Sequence, residues 1–122
     1  MDMRLELVQL EVSDVEASKA FYLRVGFNLD HDVEPGNGMR VIQMTPPGSS
    51  CSIAFGTGMG EGSKARGLLL VVDDIETARK ELIGRGVDVG DVVDMGGVLF
   101  AWFSDPDGHT WGLQEIPEQF RS

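Results

Sequence analysis

The chain carries one pattern of apolar and polar positions twice, 60 residues apart, as Val8 and Leu68 show. In both copies, apolar residues alternate at strand spacing and lead into a polar residue with Glu three positions on, a helical stretch and a terminating glycine. The two sets of signals are Val8, Leu10, Val12, Ser13, Glu16 and Gly26, and Leu68, Leu70, Val72, Asp73, Glu76 and Gly86. Signals that keep the same spacing from Val8 to Gly26 and from Leu68 to Gly86 predict a duplicated module.

Each copy is predicted to contain a strand, a helix and three further strands. The first helix follows a capping box of Ser13 with Glu16 and stops at Gly26, and the second helix covers 74–84. The predicted strands are 5–12, 27–33, 39–45, 51–55, 67–72, 87–93, 98–104 and 109–115.

A chain of 122 residues is expected to form a single domain, because each half alone buries little apolar surface. Module 1 covers about residues 5–55 and module 2 about 67–116. Between them, residues 56–67 contain five glycines and are predicted to be a flexible linker.

Composition narrows the classes of partner. The chain has 10 Lys and Arg against 20 Asp and Glu, a net charge of −10, which disfavours nucleic acids and anionic membranes. The negative charge either attracts cationic small molecules or reflects a surface of solvated acidic side chains. Cys51 has no second cysteine to pair with, and the longest apolar run, Leu68–Val72, is too short for a membrane span or a signal peptide. We therefore expect a cytoplasmic protein that contacts no membrane.

Two further motifs complete a resemblance. The turn Asp105–His109 precedes the last strand, and Ala20–Tyr22 precedes Gly26–Phe27 in the first module. Together with the repeat, these resemble the vicinal oxygen chelate superfamily, which includes glyoxalase I, bleomycin-resistance proteins, fosfomycin-resistance enzymes and extradiol dioxygenases. The resemblance covers about residues 5–116. It implies an α+β fold of two tandem βαβββ modules, whose curved mixed sheets surround a cleft that a homodimer completes.

The resemblance also implies where a metal would be held in the metal-dependent members. Those positions fall on Leu7, Gly67, Gly112 and either Ser52 or Ala54, none of which offers an imidazole or a carboxylate. We therefore expect no metal and no cofactor. A shifted site that uses the oxygen donors of Gln9, Glu11 and Gln114 stays open. His109, in the last turn, is expected to stabilise that turn.

Side chains that face the cleft are the candidate binding residues. Alternation places Phe100, Trp102 and Ser104 on one face of their strand, and the resemblance places Trp102 toward the ligand. Alternatively, Phe100 and Trp102 fill a collapsed cleft. The helix-to-sheet core is expected to hold Phe21, Tyr22, Trp111 and Leu113. The candidate ligand-binding residues are Leu7, Gln9, Glu11, Ser52, Phe100, Trp102, Gly112 and Gln114.

Three functions remain open at this point. The first is metal-independent binding of an aromatic or cationic small molecule, as in bleomycin-resistance proteins. The second is a lyase or isomerase with relocated metal ligands, which rests on Gln9, Glu11 and Gln114. The third is a protein-interaction scaffold. The sequence contains no nucleophile elbow and no phosphate-binding loop, so it predicts no catalytic residue.

Overall fold

The computed structural model describes residues 1–59, 62 and 64–118. The chain divides into two compact units after Lys64. Each unit contains one helix and one four-stranded mixed sheet. The α+β class and the order strand, helix and three strands are therefore confirmed in both halves of the chain.

The first unit is built from five elements. Its sheet has the order β1-β4-β3-β2, in which β1 runs parallel to β4 and the other neighbours are antiparallel. The elements are β1 (Leu7–Gln9), α1 (Val15–Val25), β2 (Asn28–Gly36), β3 (Met39–Thr45) and β4 (Ser52–Thr57).

The second unit repeats this topology. Its sheet has the order β5-β8-β7-β6, again with one parallel pair, β5 with β8. The elements are β5 (Arg66–Val71), α2 (Ile75–Gly84), β6 (Val93–Met95), β7 (Val98–Ser104) and β8 (Thr110–Glu115). An identical strand order on two consecutive stretches of chain is what a duplicated module requires.

Both helices begin one residue later than the capping-box prediction places them. The N-caps are Asp14 and Asp74, whose side chains accept hydrogen bonds from the backbone N–H of Ala17 and Thr77. The prediction of Ser13 as the cap was wrong because the next residue offers a carboxylate, which the positive end of the helix dipole favours. The predicted end of the first helix at Gly26 is confirmed, since Gly26 caps α1 with a left-handed φ of 114°.

The largest difference in secondary structure lies before β6. A strand over 87–93 was predicted, but the strand ladder with β7 covers Val93–Met95, and residues 87–92 form no strand although the Gly90 N–H donates to the Trp102 carbonyl oxygen. The Arg79 guanidinium explains the difference, because it donates hydrogen bonds to the carbonyl oxygens of Val89 and Gly90, which a strand would use in its ladder. The first strand is also shorter than predicted, and β2 extends three residues beyond its predicted end.

Each helix packs its apolar face on one side of its own sheet. In the first unit, the Tyr22 ring contacts those of Phe27 and Phe55, with centroids 5.3 and 5.9 Å away. In the second, the rings of Phe103 and Trp111 stack at 6.3 Å. The predicted core residues Phe21, Tyr22, Trp111 and Leu113 are all buried.

An ion cluster fastens α1 to its sheet. Lys19 and Arg40 both bind Asp32, at 2.6 and 3.0 Å, and Arg40 also pairs with Glu16. The hydrogen bonds from Arg40, and next from Lys19, hold the pKa of the Asp32 carboxyl well below its ordinary value. The hydrogen bonds of Arg40 to Asp32, and next to Glu16, raise the pKa of Arg40. Asp32 and Arg40 therefore stay ionised at neutral pH, and the cluster holds α1 to β2 and β3.

The predicted linker over 56–67 is shorter in the structure. Its two ends belong to strands, because β4 continues to Thr57 and β5 begins at Arg66. Gly60, Glu61 and Ser63, which were predicted to belong to the linker, lie outside the described residues. In the described part of the chain, neither helix has the length and apolar composition needed to cross a bilayer.

Candidate functional site

The second sheet has one covered face and one open face. Along β7, Ala101 and Phe103 are buried on the side of α2, whereas Trp102 is 40% exposed on the opposite side. This alternation is the strand period, and it confirms that Phe100, Trp102 and Ser104 share a face. We call this surface the open face of the second sheet.

Trp102 lies flat against the neighbouring strand. It is paired with Gly112 of β8, and a methyl group at Gly112 would come within 2.8 Å of Trp102 Cζ3 and 3.0 Å of Leu69 Cδ2. The missing side chain of Gly112 is therefore what makes room for the indole. Because the ring rests on buried backbone on one side and is exposed on the other, it offers its outer surface to solvent.

A second ring extends this surface. Phe100 lies two residues before Trp102, and their rings are parallel to within 6° with centroids 5.8 Å apart. Gln114 pairs with Phe100 across the ladder and with Val71 of β5, which places its side chain on the same face as the phenyl ring. We call Phe100, Trp102 and Gly112 the aromatic platform. It is an apolar surface with one adjacent hydrogen-bonding group, the composition that small-molecule sites usually have.

The other candidate residues lie on the first sheet. Leu7 pairs with Ser52 and Gln9 with Ala54, which places all four on the face opposite α1. The Gln9 amide donates to the carbonyl oxygen of Met59 at 3.3 Å, so it is already engaged within its own unit. Glu11 lies beyond the end of β1 and is exposed, and the strand alternation that was expected to orient it does not reach it.

Ser52 belongs to a chain of hydrogen bonds rather than to an open surface. It is 5% exposed, accepts from Gln43 Nε2 at 3.4 Å and lies 2.6 Å from Thr45 Oγ1. The Thr45 hydroxyl in turn donates to Asp30. These bonds use the Ser52 hydroxyl, and the buried side chain contributes to the stability of the first sheet.

The side chains at the implied metal positions do not fit a divalent ion. Leu7 is apolar, Gly67 has no side chain, and the indole of Trp102 covers Gly112. Ser52 offers a hydroxyl that is already hydrogen-bonded, and Ala54 offers no donor atom. Among the described residues, no three His, Cys, Asp or Glu side chains cluster as metal ligands would.

His109 supports the last turn, as predicted. Its ring is 1% exposed, and Nδ1 accepts a hydrogen bond from the backbone N–H of Ala65 at 2.9 Å. Its own backbone N–H donates to Asp105 Oδ1, which also accepts from Asp107. The imidazole thus joins the turn to the start of β5, a structural role.

Two residues of the open face were not among the candidates. The Leu69 side chain lies close to Gly112, on the same face as Trp102. Asp88 and Trp102 both line a surface hollow. The alternation in β5 separates the exposed Leu69 from Leu68 and Leu70, which are half-buried, and the sequence does carry this signal. Asp88 had no such signal, because its segment was predicted to be a strand and is not one.

Comparison with known proteins agrees with this geometry. The family model described as the Glyoxalase/Bleomycin resistance protein/Dioxygenase superfamily matches residues 4–113. TnmS3, an antibiotic binding protein from Streptomyces sp. CB03234, is 34% identical with a TM-score of 0.81, over 95% of this chain and 98% of that one. No curated protein matches the chain.

Two further solved structures show the same likeness. A glyoxalase/bleomycin resistance protein, also from Streptomyces sp. CB03234, is 36% identical with a TM-score of 0.73, over 90% of this chain and 98% of its own. A superfamily member from Sphaerobacter thermophilus DSM 20745 is 30% identical with a TM-score of 0.77, over 94% and 98% of the two chains. The chain therefore belongs to the glyoxalase/bleomycin resistance protein/dioxygenase superfamily.

Proposed function

We propose that this protein binds a small molecule with a planar aromatic part, without a metal ion, and that the ligand lies on the aromatic platform. The observation that carries the proposal is the position of the Trp102 side chain. Trp102 is 40% exposed, and its ring lies over Gly112 and parallel to the ring of Phe100. An exposed indole that is fixed in this way loses little side-chain entropy when a planar ligand stacks on it.

Two further observations support the proposal. The replacement of ligating side chains by leucine and glycine removes the donors on which the metal-dependent chemistry of the superfamily rests. TnmS3, which is 34% identical over nearly the whole chain, is an antibiotic binding protein. Fold alone does not decide among the functions of a superfamily, so the side chains of the open face carry the argument.

The experiment is a calorimetric titration with acridine, a neutral planar probe, before and after treatment of the protein with EDTA. We expect saturable binding with one acridine per chain and a Kd that EDTA leaves unchanged within about twofold, or roughly 0.4 kcal/mol. Loss of binding on chelation, restored by a divalent ion, would instead favour the metal-dependent lyase or isomerase. The absence of binding at millimolar acridine would contradict the platform.

We further propose that the protein is a homodimer. The edge strands of the second sheet leave apolar side chains exposed, at 46% for Leu69, 59% for Val71, 47% for Val93 and 61% for Met95. Edge strands with exposed apolar residues are usually covered by a partner. Light scattering at micromolar concentration is expected to report twice the chain mass of 13.3 kDa. A mass of one chain at every concentration would contradict the dimer.

A further inference from the structure

Beside the aromatic platform, the segment before β6 brings a carboxylate to the open face of the second sheet. Val87 and Val89 are buried, whereas Asp88 between them is exposed. The backbone N–H of Gly90 donates to the carbonyl oxygen of Trp102 at 2.9 Å, which holds this segment alongside β7. Asp88 lines the same surface hollow as Trp102, which places its carboxylate near the exposed indole.

Asp88 lines a surface hollow of about 500 Å³ together with the exposed ring. The other lining residues are Phe103, Ser104 and Thr110. Ser104 and Thr110 are directly paired across β7 and β8, and their hydroxyls lie at the same end of the open face. The hollow thus has an aromatic wall at Trp102, one carboxylate and two hydroxyls.

The polar groups of the hollow accept hydrogen bonds and attract positive charge. The guanidinium of Arg79, which binds the segment that carries Asp88, is already bound to Asp91 and to the carbonyl oxygens of Val89 and Gly90. The Thr110 hydroxyl accepts from the backbone N–H of Gly67 at 2.7 Å, which holds its oxygen in place. With a net charge of −10 on the chain, the field at the hollow favours a cation.

We propose that the hollow is a subsite for an organic cation, and that the protein therefore prefers planar aromatic ligands that carry an amine. The proposal rests on the proposed function, because it places the ring of the ligand on the aromatic platform and the charged group beside Asp88. A protonated amine there contacts the carboxylate. This contact favours a cation over a neutral group of the same shape.

A pair of probes separates this subsite from the platform. 9-Aminoacridine is a cation at neutral pH, whereas acridine has the same ring system and is neutral. We expect 9-aminoacridine to bind more tightly than acridine. The Asp88→Asn variant is expected to weaken 9-aminoacridine binding roughly threefold to tenfold, as for one partly exposed ion pair, and to leave acridine binding unchanged.

The matched control removes the same charge elsewhere in the same unit. Glu76 lies in the first turn of α2, exposed, on the covered side of the second sheet. Glu76→Gln is expected to leave the affinity for both probes unchanged in the same calorimetric titration. The Asp88 effect is also expected to shrink in high salt, because the pair is screened.

The outcomes separate the two proposals. If Asp88→Asn and Glu76→Gln weaken 9-aminoacridine equally, net charge and not the hollow attracts the cation, and the subsite is overturned. The same holds if Asp88→Asn changes neither affinity while Trp102→Ala weakens both, in which case the platform stands alone. If Trp102→Ala leaves both affinities unchanged, the proposed function itself fails.

Discussion

Replacing Gly56 with alanine is expected to destabilise the protein by about 3 kcal/mol or more, because the strands leave no space for a methyl group. Gly56 pairs with Val41, and a Cβ there would lie 1.8 Å from the carbonyl oxygen of Arg40. Backbone atoms cannot move aside as the end of a flexible side chain can. The clash therefore separates β3 from β4, the two central strands of the first sheet.

The matched control is a glycine with open space around it. Gly84 ends α2, and a Cβ at that position meets nothing within 4 Å. Gly84→Ala is expected to stabilise the protein by roughly 0.5–1 kcal/mol, since alanine loses less backbone entropy in a helix. Urea unfolding followed by circular dichroism measures both variants. Equal stability of Gly56→Ala and wild type would show that β3 and β4 are not packed as described.

Trp102→Ala is expected to weaken acridine binding tenfold or more and to change stability little. An aromatic stacking contact contributes on the order of 1 kcal/mol beyond the burial of area, and the two terms together exceed the roughly 1.4 kcal/mol of one decade. Because the Trp102 ring is 40% exposed and rests on a glycine, its removal leaves no closed cavity. Calorimetric titration and urea unfolding of the same sample separate the two effects.

Trp111 provides the contrast within the same sheet. The protein has two tryptophans, and Trp111 is 3% exposed and stacked on Phe103. Its truncation to alanine is expected to lower stability by about 3–5 kcal/mol, as for other buried aromatic residues. If Trp102→Ala produced a loss of that size, or if it left acridine affinity unchanged, Trp102 would belong to the core and not to the binding surface.

The repeat and the period of the strands predicted most of the fold. β3 and β7 begin and end at the predicted residues, because turn residues rich in glycine and proline bound both strands in the sequence itself. The prediction of a strand before β6 was wrong because a contact from outside the segment decides its structure. Arg79, on α2, donates hydrogen bonds to the carbonyl oxygens of this segment. Pattern within a segment carries no information about such a partner.

The candidate site was predictable in part for the same reason. Alternation placed Phe100 and Trp102 on one face, and in the structure their rings stack on that face with Trp102 exposed. The contact between Trp102 and Gly112 was not predicted, because it forms between two strands. Gly56 was predicted to be a linker residue, although it lies where two strands pack closely. A glycine that serves a turn and one that serves a close approach look alike in sequence.

A crystal structure of the protein bound to acridine tests the central claim most directly. We predict the ligand ring parallel to the Trp102 indole on the open face of the second sheet, next to Phe100 and Gln114, with no metal ion between ligand and protein. A ligand bound elsewhere, or one that coordinates a metal held by Gln9, Glu11 or Gln114, would contradict the account.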